Sequence, residues 1–470
     1  MNSQQNKKYI DHLWDTSIVP TLMDYIRIPN KSPLFDPDWK QHGYMDKAVA
    51  LLVNWCHENA LENMHIEVVQ AENRTPVIFI EIPGNSTETL LLYGHLDKQP
   101  EMTGWETGLD PWTPVLRDEK LYGRGAADDG YAVFASLAAI KSLHEQNLPH
   151  ARCVILIEAC EESGSYDLPF YIQVLEDRIG KPSLIICLDS GCGNYEQLWM
   201  TTSLRGMISG DLKIEVLTEG IHSGNGSGVV PSCFLILRQL LSRIENESNG
   251  EIMLDDLFVE IPNERKQQAQ LTAEVLGKHV YDDYPFIKDV NTVTTDLTEL
   301  ILNRTWRPAL SVIGADGLPK PENAGSVTLP TLSFSLSMRL PPTCDAMAAA
   351  KILKTTLESN PPFGAKVTFT LGKNAHGWNA PVEAEWLKNI SQQASKKYFG
   401  KEAVYMGEGG TIPFMGMLGK KFPDAQFLIT GVLGPKSNAH GPNEFLHIPT
   451  GKNLTCCVAE VIAEHSKQVK

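Results

Sequence analysis

The chain has 470 residues, of which 42% are hydrophobic and 21% are charged, a composition typical of a globular protein with room for more than one domain. Its formal net charge of -16 argues against a nucleic-acid-binding surface, because phosphate contacts require a basic patch. No apolar run reaches the roughly 18 residues of a membrane span. The first residues lack the apolar core of a secretory signal. We therefore expect no nucleic-acid or membrane partner.

The nine cysteines form no Cys-x-x-Cys pair, so neither a zinc ribbon nor a disulfide framework is expected. Three of them, Cys153, Cys160 and Cys187, lie in apolar, strand-like runs where buried thiols are common. A reducing cytoplasm is the simplest compartment for such a chain.

The N-terminal part predicts a helix followed by strands. Apolar spacing predicts an amphipathic helix over 46–58, and three β-rich runs follow between residues 65 and 93. The last run is apolar throughout, as a strand in the centre of a sheet should be. It leads to His95 and Asp97, which share a face by period-two alternation. This carboxylate can fix the tautomer of a metal-binding imidazole, although a structural hydrogen bond explains an isolated His-x-Asp at least as well.

Paired aspartates stand between a glycine-rich turn and the next predicted helix. Residues 121–130 read Leu-Tyr-Gly-Arg-Gly-Ala-Ala-Asp-Asp-Gly. This glycine spacing matches neither a Walker A loop nor a dinucleotide fingerprint, which excludes a phosphate-binding loop. Helix capping explains one of Asp128 and Asp129 but does not require both.

Acidic residues also follow two further apolar runs. One run, 154–157, leads to Glu161 and Glu162, and another, 184–188, leads to Asp189. In open α/β sheets, ligands collect outside the carboxyl ends of the strands. Because successive strand residues point to opposite faces, adjacent glutamates at a strand end can reach different partners. A solvated pair of loop acids is the common alternative for an isolated Glu-Glu.

The pattern changes after Arg205, where strands with one polar face begin. The predicted order is β-α-β-β-α-β, the ferredoxin-like split unit. It predicts an inserted domain over 206–377 between two parts of a catalytic domain, 1–205 and 378–470. Alternation along its strand at 331–340 puts Arg339 opposite the apolar face, where a guanidinium can bind a carboxylate or remain solvated.

The α/β pattern resumes after the inserted domain. Residues 407–413 read Gly-Glu-Gly-Gly-Thr-Ile-Pro, in which Pro413 suits the first turn of a helix. The glycines leave backbone N–H groups open to an anion. His440 follows in the segment Asn-Ala-His-Gly, and a terminal helix is predicted over 449–465.

The groups at the strand ends are imidazoles and carboxylates, with no cysteine at a ligand spacing. Mixed ligation of this kind suits zinc or a similar divalent ion, and the surplus of acids suits two ions with a bridging carboxylate. One carboxylate then remains to take a proton from water and pass it to a leaving amine.

In motif order, the whole chain resembles the dinuclear metallopeptidases and deacylases of the M20 type, which include carnosinase-like dipeptidases, carboxypeptidase G2, aminoacylase and succinyl-diaminopimelate desuccinylase. The resemblance implies a zinc-peptidase-like mixed α/β sheet with helices on both faces and an inserted ferredoxin-like lid that forms a homodimer. It also implies two divalent metal ions per chain, with zinc expected and manganese or cobalt as alternatives. The implied reaction is amide hydrolysis by a metal-bridged hydroxide.

The resemblance also implies a role for each candidate residue outside the lid. Glu161 resembles the general base, and Asp97 resembles the acid that orients His95. The metal ligands implied, with Asp128 bridging both ions, are His95, Asp128, Glu162, Asp189 and His440.

The substrate-binding residues implied by the resemblance lie in or beyond the lid. His222 resembles a histidine that, in dimeric relatives, reaches the partner subunit's site to polarise the scissile carbonyl. Arg339 resembles the residue that binds the substrate's C-terminal carboxylate. The substrate-binding loop is matched by Gly409, Gly410 and Thr411.

Two positions depart from the pattern of the relatives. Gly130 follows the paired aspartates, where relatives often have lysine, and Val327 stands three residues before Pro330, where they commonly have Asn or Thr. Asn323 is a candidate replacement for the latter. These departures concern substrate contacts, because every metal position holds a competent ligand.

We expect a hydrolase of small amide substrates, acting as a dipeptidase or exopeptidase. The first alternative is an N-acyl amino acid deacylase of the aminoacylase or desuccinylase type, because Arg339 suits either substrate's carboxylate. A remote alternative is an inactive protein that uses the lid dimer as a binding scaffold.

Overall fold

The computed structural model describes residues 1–86 and 88–468. The chain divides into two compact units, and it passes from one to the other near residues 202, 379, 406 and 416. The first unit comprises 1–202, 380–406 and 417–470, and the second comprises 203–379 and 407–416.

Helices and strands alternate along the described chain. The helices are α1 (Ser3–Leu13), α2 (Val19–Ile26), α3 (Trp39–His42), α4 (Tyr44–Glu58), α5 (Ala132–Glu145), α6 (Leu168–Val174), α7 (Glu176–Ile179), α8 (Ser223–Gly226), α9 (Cys233–Leu241), α10 (Asn263–Leu276), α11 (His279–Asp282), α12 (Leu297–Thr305), α13 (Ala346–Glu358), α14 (Glu385–Tyr398), α15 (Pro413–Lys421) and α16 (Ile448–Gln468). The strands are β1 (His65–Val69), β2 (Val77–Ile82), β3 (Thr89–His95), β4 (Val115–Arg117), β5 (Lys120–Tyr122), β6 (Arg152–Glu158), β7 (Pro182–Cys187), β8 (Trp199–Leu204), β9 (Gly206–Glu215), β10 (Ile221–His222), β11 (Ala309–Asp316), β12 (Val327–Thr328), β13 (Thr331–Leu340), β14 (Lys366–Ala375), β15 (Trp378–Asn379), β16 (Val404–Glu408), β17 (Gln426–Ile429) and β18 (Phe445–His447).

A six-stranded mixed sheet organises the first unit, with the order β1-β2-β6-β3-β7-β17. The four strands from β6 to β17 run parallel, and β1 and β2 are antiparallel additions at one edge. Every residue of β3 is buried, which explains why this strand reads as a continuous apolar run. Alternate residues such as Leu90, Leu92, Ile155 and Ile157 join one core with apolar residues of the surrounding helices.

The second unit is built on an antiparallel sheet of order β11-β13-β9-β14. With α9 after β9 and α13 after β13, its chain order is the predicted β-α-β-β-α-β. Along β9, buried Ile208, Leu212 and Ile214 alternate with more exposed residues. They share a core with apolar residues of α9 and α13, so the sheet is covered by helices on one face.

The α/β class expected from the sequence is confirmed, and the details differ at two places. Helices α10 to α12 interrupt the second unit before β11. They were not predicted, because α10 buries mostly small or polar side chains and shows little apolar periodicity. The predicted division placed 407–416 with the catalytic part, whereas this segment belongs to the second compact unit. Among the described residues, no helix is both long and apolar enough to cross a membrane.

Candidate functional site

The parallel strands of the first unit bring three predicted groups to one sheet edge. His95 is the last residue of β3, and it pairs with Glu158 at the end of β6. The neighbouring β7 ends two residues before Asp189. Because parallel strands end at the same edge, the acidic segments that follow β6 and β7 flank His95.

Asp128 lies between two imidazoles. Its Oδ1 is 3.1 Å from His95 Nε2, and its Oδ2 is 3.0 Å from His440 Nε2. Asp128 and Asp129 occupy an irregular turn, 126–130, with non-helical backbone angles before α5, and the peptide bond between them is cis. Each oxygen of one carboxylate thus faces a different histidine, the arrangement expected of a bridging ligand.

Further carboxylates complete a cluster around the two histidines. Glu162 Oε2 lies 3.3 Å from His440 Nε2, and Asp189 Oδ2 lies 3.7 Å from His95 Nε2. Two sets of ligand atoms lie within 4.8 Å of one another: one from His95, Glu161 and Asp189, the other from His95, Asp128 and Glu162. The structure therefore places all five predicted metal ligands and Glu161 in one cluster.

The donor set fits divalent cations. Four carboxylates and two imidazoles converge, and like-charged carboxylates at this spacing favour a cation between them. In addition, Glu162 Oε1 is buried and has no hydrogen-bond partner in the described part of the chain. A buried polar atom without a partner is costly, and a bound cation would satisfy it.

Asp97 contacts the glutamate pair more closely than it contacts the histidine. Its Oδ1 and Oδ2 accept the backbone N–H groups of Glu161 and Glu162, each at 3.0 Å. His95 Nδ1 is 3.0 Å from the backbone carbonyl oxygen of Asp97, whereas the Asp97 carboxylate is 3.6 Å away. The backbone of Asp97 thus orients the imidazole, and its side chain positions the glutamate turn.

The two glutamates separate because of a turn and not because of strand alternation. Strand β6 ends at Glu158, and Glu161–Ser163 forms a single 3-10 turn. The alternation expected from the sequence therefore does not apply at these positions. Both backbone N–H groups are instead held by one carboxylate, which leaves the two side chains free to diverge.

The buried charges shift one another's protonation. Burial raises the pKa of Glu161 well above its usual range, and the nearby Asp189 raises it further. Burial likewise raises the pKa of Asp189, to about 6, with Asp128 contributing. Burial also opposes ionisation of Asp128, but hydrogen bonds from His440 and His95 outweigh it and lower the pKa of this carboxyl. Asp128 therefore stays anionic, whereas burial favours the protonated form of Glu161 and also of Glu162, whose pKa is likewise raised well above its usual range.

Several supporting residues were not identified from the sequence. Asp129 is no helix cap, because its Oδ2 accepts the backbone N–H of His95. Arg124 and Glu444 form a buried ion pair at 2.6 Å. Arg124 also donates to the carbonyl of Gly441, next to His440, and Glu444 accepts the N–H of Gly125. This pair joins the loop of His440 to the turn of Asp128. Partners 320 positions apart leave no local signal in the sequence.

Steric crowding explains why position 130 is glycine in this chain, where relatives often have lysine. A Cβ atom at this position would lie 2.3 Å from the ring of Tyr25 and 2.6 Å from the carbonyl oxygen of Gly125. Tyr25 is fully buried and donates its hydroxyl to the carbonyl of Leu96. In this chain the space beside the paired aspartates is therefore filled by an aromatic ring, which leaves no room for a lysine side chain.

The predicted substrate-binding residues lie in the second unit, and several of them meet there. Arg339 on β13 donates from Nη1 to Thr411 Oγ1 at 3.2 Å. Thr411 in turn donates to the carbonyl of Arg205 at 2.6 Å, and Arg205 Nε donates to the carbonyl of Gly409 at 3.2 Å. Gly410 is exposed beside them, and α15 begins at Pro413 as predicted.

His222 lies on the short strand β10 of the same unit and is exposed. Its Nδ1 accepts the backbone N–H of Gly224 at 3.1 Å, so the neutral ring carries its proton on Nε2. Val327 is its register partner on β12, and Asn323 lies on an exposed 3-10 turn nearby in the chain. Val327, which stands where relatives commonly have Asn or Thr, is therefore directly opposite His222 across the two strands.

The chain belongs to Peptidase family M20/M25/M40, whose model matches residues 91–464. The protein is thus a metal-dependent hydrolase of this family. It is similar to the cysteinylglycine-S-conjugate dipeptidase of Corynebacterium striatum, with 25% identity over 420 residues that cover 87% of this chain and 88% of the relative. It is also similar to the human Beta-Ala-His dipeptidase, with 27% identity over 440 residues that cover 87% and 82% of the two chains.

A solved structure shows the same fold. The crystal structure of human carnosine dipeptidase 1 matches with a TM-score of 0.78 at 22% sequence identity and covers 99% of both chains. The mixed α/β architecture expected for the family is therefore confirmed over essentially the whole chain.

Replacing Asp97 with asparagine tests its contact with the glutamate turn. Asp97→Asn substitutes an NH₂ group for one of the two acceptor oxygens, so one N–H of the turn loses its partner. We expect zinc affinity to fall by about 10- to 100-fold, as for other residues that support metal ligands. Calorimetric titration of the metal-stripped protein with zinc measures this.

Asp167→Asn is the matched control. Asp167 also accepts a backbone N–H, that of Thr75, at 2.9 Å, and it is not among the predicted ligands. This variant should lose stability and keep its zinc affinity. Equal zinc affinities for Asp97→Asn and the wild type would contradict the positioning role.

Proposed function

We propose that the protein hydrolyses the amide bond of small peptides that carry a free C-terminal carboxylate, as a dipeptidase or exopeptidase with two divalent ions per chain. The observation that carries this proposal is the placement of Asp128 between His95 and His440, with each histidine next to a further carboxylate. A single-ion site has no need for a carboxylate shared in this way.

The proposed ligands divide into two sets around Asp128. His95 and Asp189 would hold one ion, and Glu162 and His440 would hold the other. Zinc suits this mixture of nitrogen and oxygen ligands, with manganese and cobalt as the alternatives. When bound, such ions polarise a carbonyl and lower the pKa of water, which supplies a nucleophile near neutral pH.

Glu161 is proposed to move the proton. Asp97 holds its backbone, and burial with the nearby Asp189 raises its pKa well above the usual range, which favours the protonated form that a proton donor needs. Its carboxylate would accept a proton from the attacking water, and its carboxylic acid would then deliver that proton to the departing amine. The proton taken from water is the proton delivered to the amine, so we assign both transfers to the same residue.

The second unit is proposed to act as the lid and the dimerisation domain. Arg339 would bind the substrate's C-terminal carboxylate, because a guanidinium matches a carboxylate with two parallel hydrogen bonds. His222 would donate its Nε2 proton to the scissile carbonyl in the partner subunit's site. The loop of Gly409, Gly410 and Thr411 would contact the substrate backbone.

The class of substrate and the compartment rest on the comparisons and on composition. Both relatives described above are named for dipeptidase activity, which supports dipeptides over acylated amino acids. A reducing, cytoplasmic compartment is supported by nine cysteines that are all buried and form no disulfide bond among the described residues.

Replacing Glu161 with glutamine removes the proposed base and changes little else in size. Glu161→Gln should bind zinc as the wild type does and lose on the order of 10² to 10⁴ in kcat, the usual contribution of a general base. Steady-state kinetics with metal analysis of the same sample measures both effects. Glu145→Gln, an exposed carboxylate in the same unit, should leave the rate unchanged. Near-normal turnover by Glu161→Gln would refute the assignment of Glu161 as the general base.

A substrate panel tests the proposed activity. Unmodified dipeptides should be cleaved with higher kcat/KM than the N-acetyl and N-succinyl forms of the same C-terminal amino acid. Cleavage should stop after chelation and return with zinc, manganese or cobalt. A preference for the acylated substrates would instead establish a deacylase. No cleavage of either class by the metal-loaded protein would refute the hydrolase proposal.

Mixed dimers test whether His222 acts across subunits. His222→Ala should lose activity while keeping zinc, and freshly mixed heterodimers of His222→Ala with Glu161→Gln should recover activity, because one site then has both groups. His279→Ala, another exposed histidine of the second unit, should remain active. Heterodimers that stay inactive would show that His222 does not act in trans.

A further inference from the structure

Three arginines converge on the glycine-rich loop of the second unit. Arg339 contacts Thr411, and Arg205 donates from Nε to the carbonyl of Gly409. A Cβ atom at Gly409 would lie 3.2 Å from Arg205 Nη2 and 3.2 Å from Arg304 Cγ. Glycine at position 409 therefore leaves room for the side chains of Arg205 and Arg304 at one point of the loop.

These cations lack a matching set of anions. Among the described residues, none of the three guanidiniums has a carboxylate within 4 Å. Arg205 is only 9% exposed, and its hydrogen bonds go to the carbonyls of Gly409 and Asn303. Arg304 donates to the hydroxyl of Tyr284. A buried cation held only by neutral oxygens is costly unless an anion joins it.

The charges near this loop leave an excess of positive charge. Burial, together with Arg339 and Arg304, lowers the pKa of Arg205 to about 10, so the guanidiniums repel one another while remaining charged. Glu408 is the acid that interacts with Arg304, but burial raises its pKa, and its Oε1 has no hydrogen-bond partner in the described part of the chain. Even with Glu408 ionised, the cluster carries an excess of two positive charges.

We infer that Arg205 and Arg304 form a second carboxylate subsite beside Arg339, so that the preferred substrates end in an acidic residue. This inference rests on the proposed function, which assigns the C-terminal carboxylate to Arg339. One carboxylate neutralises one of the two excess charges. The side-chain carboxylate of a C-terminal Asp or Glu neutralises the other and is joined to the first by only a few bonds.

Isosteric dipeptides test the second carboxylate. Ala-Glu should exceed Ala-Gln in kcat/KM by about tenfold or more, because a hydrogen bond to a charged group is worth one to two powers of ten in binding. Ala-Asp and Ala-Asn should show the same direction. In Arg205→Met the ratio of Glu to Gln should fall toward one, and Arg205→Lys, which keeps the charge, should retain part of it. Arg304→Met should lower the ratio without removing a buried side chain.

Arg243→Met is the matched control for a purely structural arginine. Arg243 also lies in the second unit and donates to the backbone carbonyls of Thr356, Ser359 and Asn360. This variant should lower the unfolding temperature without changing the ratio of Glu to Gln. If Arg205→Met likewise changes only stability, or if the wild type shows no preference for Glu over Gln, the second subsite is refuted.

A binding measurement separates this inference from the proposed function. Glutarate should raise the unfolding temperature of the wild-type protein more than its monoamide does, and Arg205→Lys and Arg304→Met should reduce the difference. If no dipeptide is cleaved but glutarate is preferred, the anion subsite stands and the proposed function fails. If dipeptides are cleaved but glutarate and its monoamide act equally, the function stands and the subsite is refuted.

Discussion

The first unit depends on one electrostatic constraint, namely that several carboxylates lie close together in a largely buried cluster at one edge of the sheet. Asp128, Glu161, Glu162 and Asp189 would repel one another if all were ionised, and burial adds a desolvation penalty for each. The hydrogen bonds of Asp128 to two imidazoles relieve part of this repulsion. Divalent cations would relieve the rest, so metal binding and the stability of this pocket should be coupled.

Neighbouring residues hold the cluster in place through hydrogen bonds from both their side chains and their backbone. The side chain of Asp97 positions the glutamate turn, and its carbonyl positions His95. The Arg124–Glu444 pair, which is almost completely excluded from solvent, joins two loops that carry ligands. Such contacts keep ligands near one geometry before a metal arrives, which lowers the cost of binding it.

The loop of Gly409 in the second unit presents the opposite electrostatic problem, because Arg205, Arg304 and Arg339 outnumber its nearby carboxylate, that of Glu408. Arg205 is buried, no carboxylate of the described chain pairs with it, and its guanidinium donates to the carbonyl oxygens of Gly409 and Asn303. A cluster in the first unit therefore collects groups that attract cations, and a cluster in the second unit collects groups that attract anions. A hydrolase of peptides with acidic C-termini needs both kinds of site.

The sequence by itself determined the α/β class, the β-α-β-β-α-β order of the second unit and the place of His95, Glu161, Glu162 and Asp189 after buried apolar runs. These features follow from apolar periodicity and from the position of acids and histidines after buried runs, which are local properties. Only the tertiary structure decided that Asp97 holds the glutamate turn, that Arg124 pairs with Glu444 and that Thr411 links Arg339 to the backbone of Arg205. These contacts join residues far apart in the chain or use backbone groups, and neither leaves a pattern in the order of side chains.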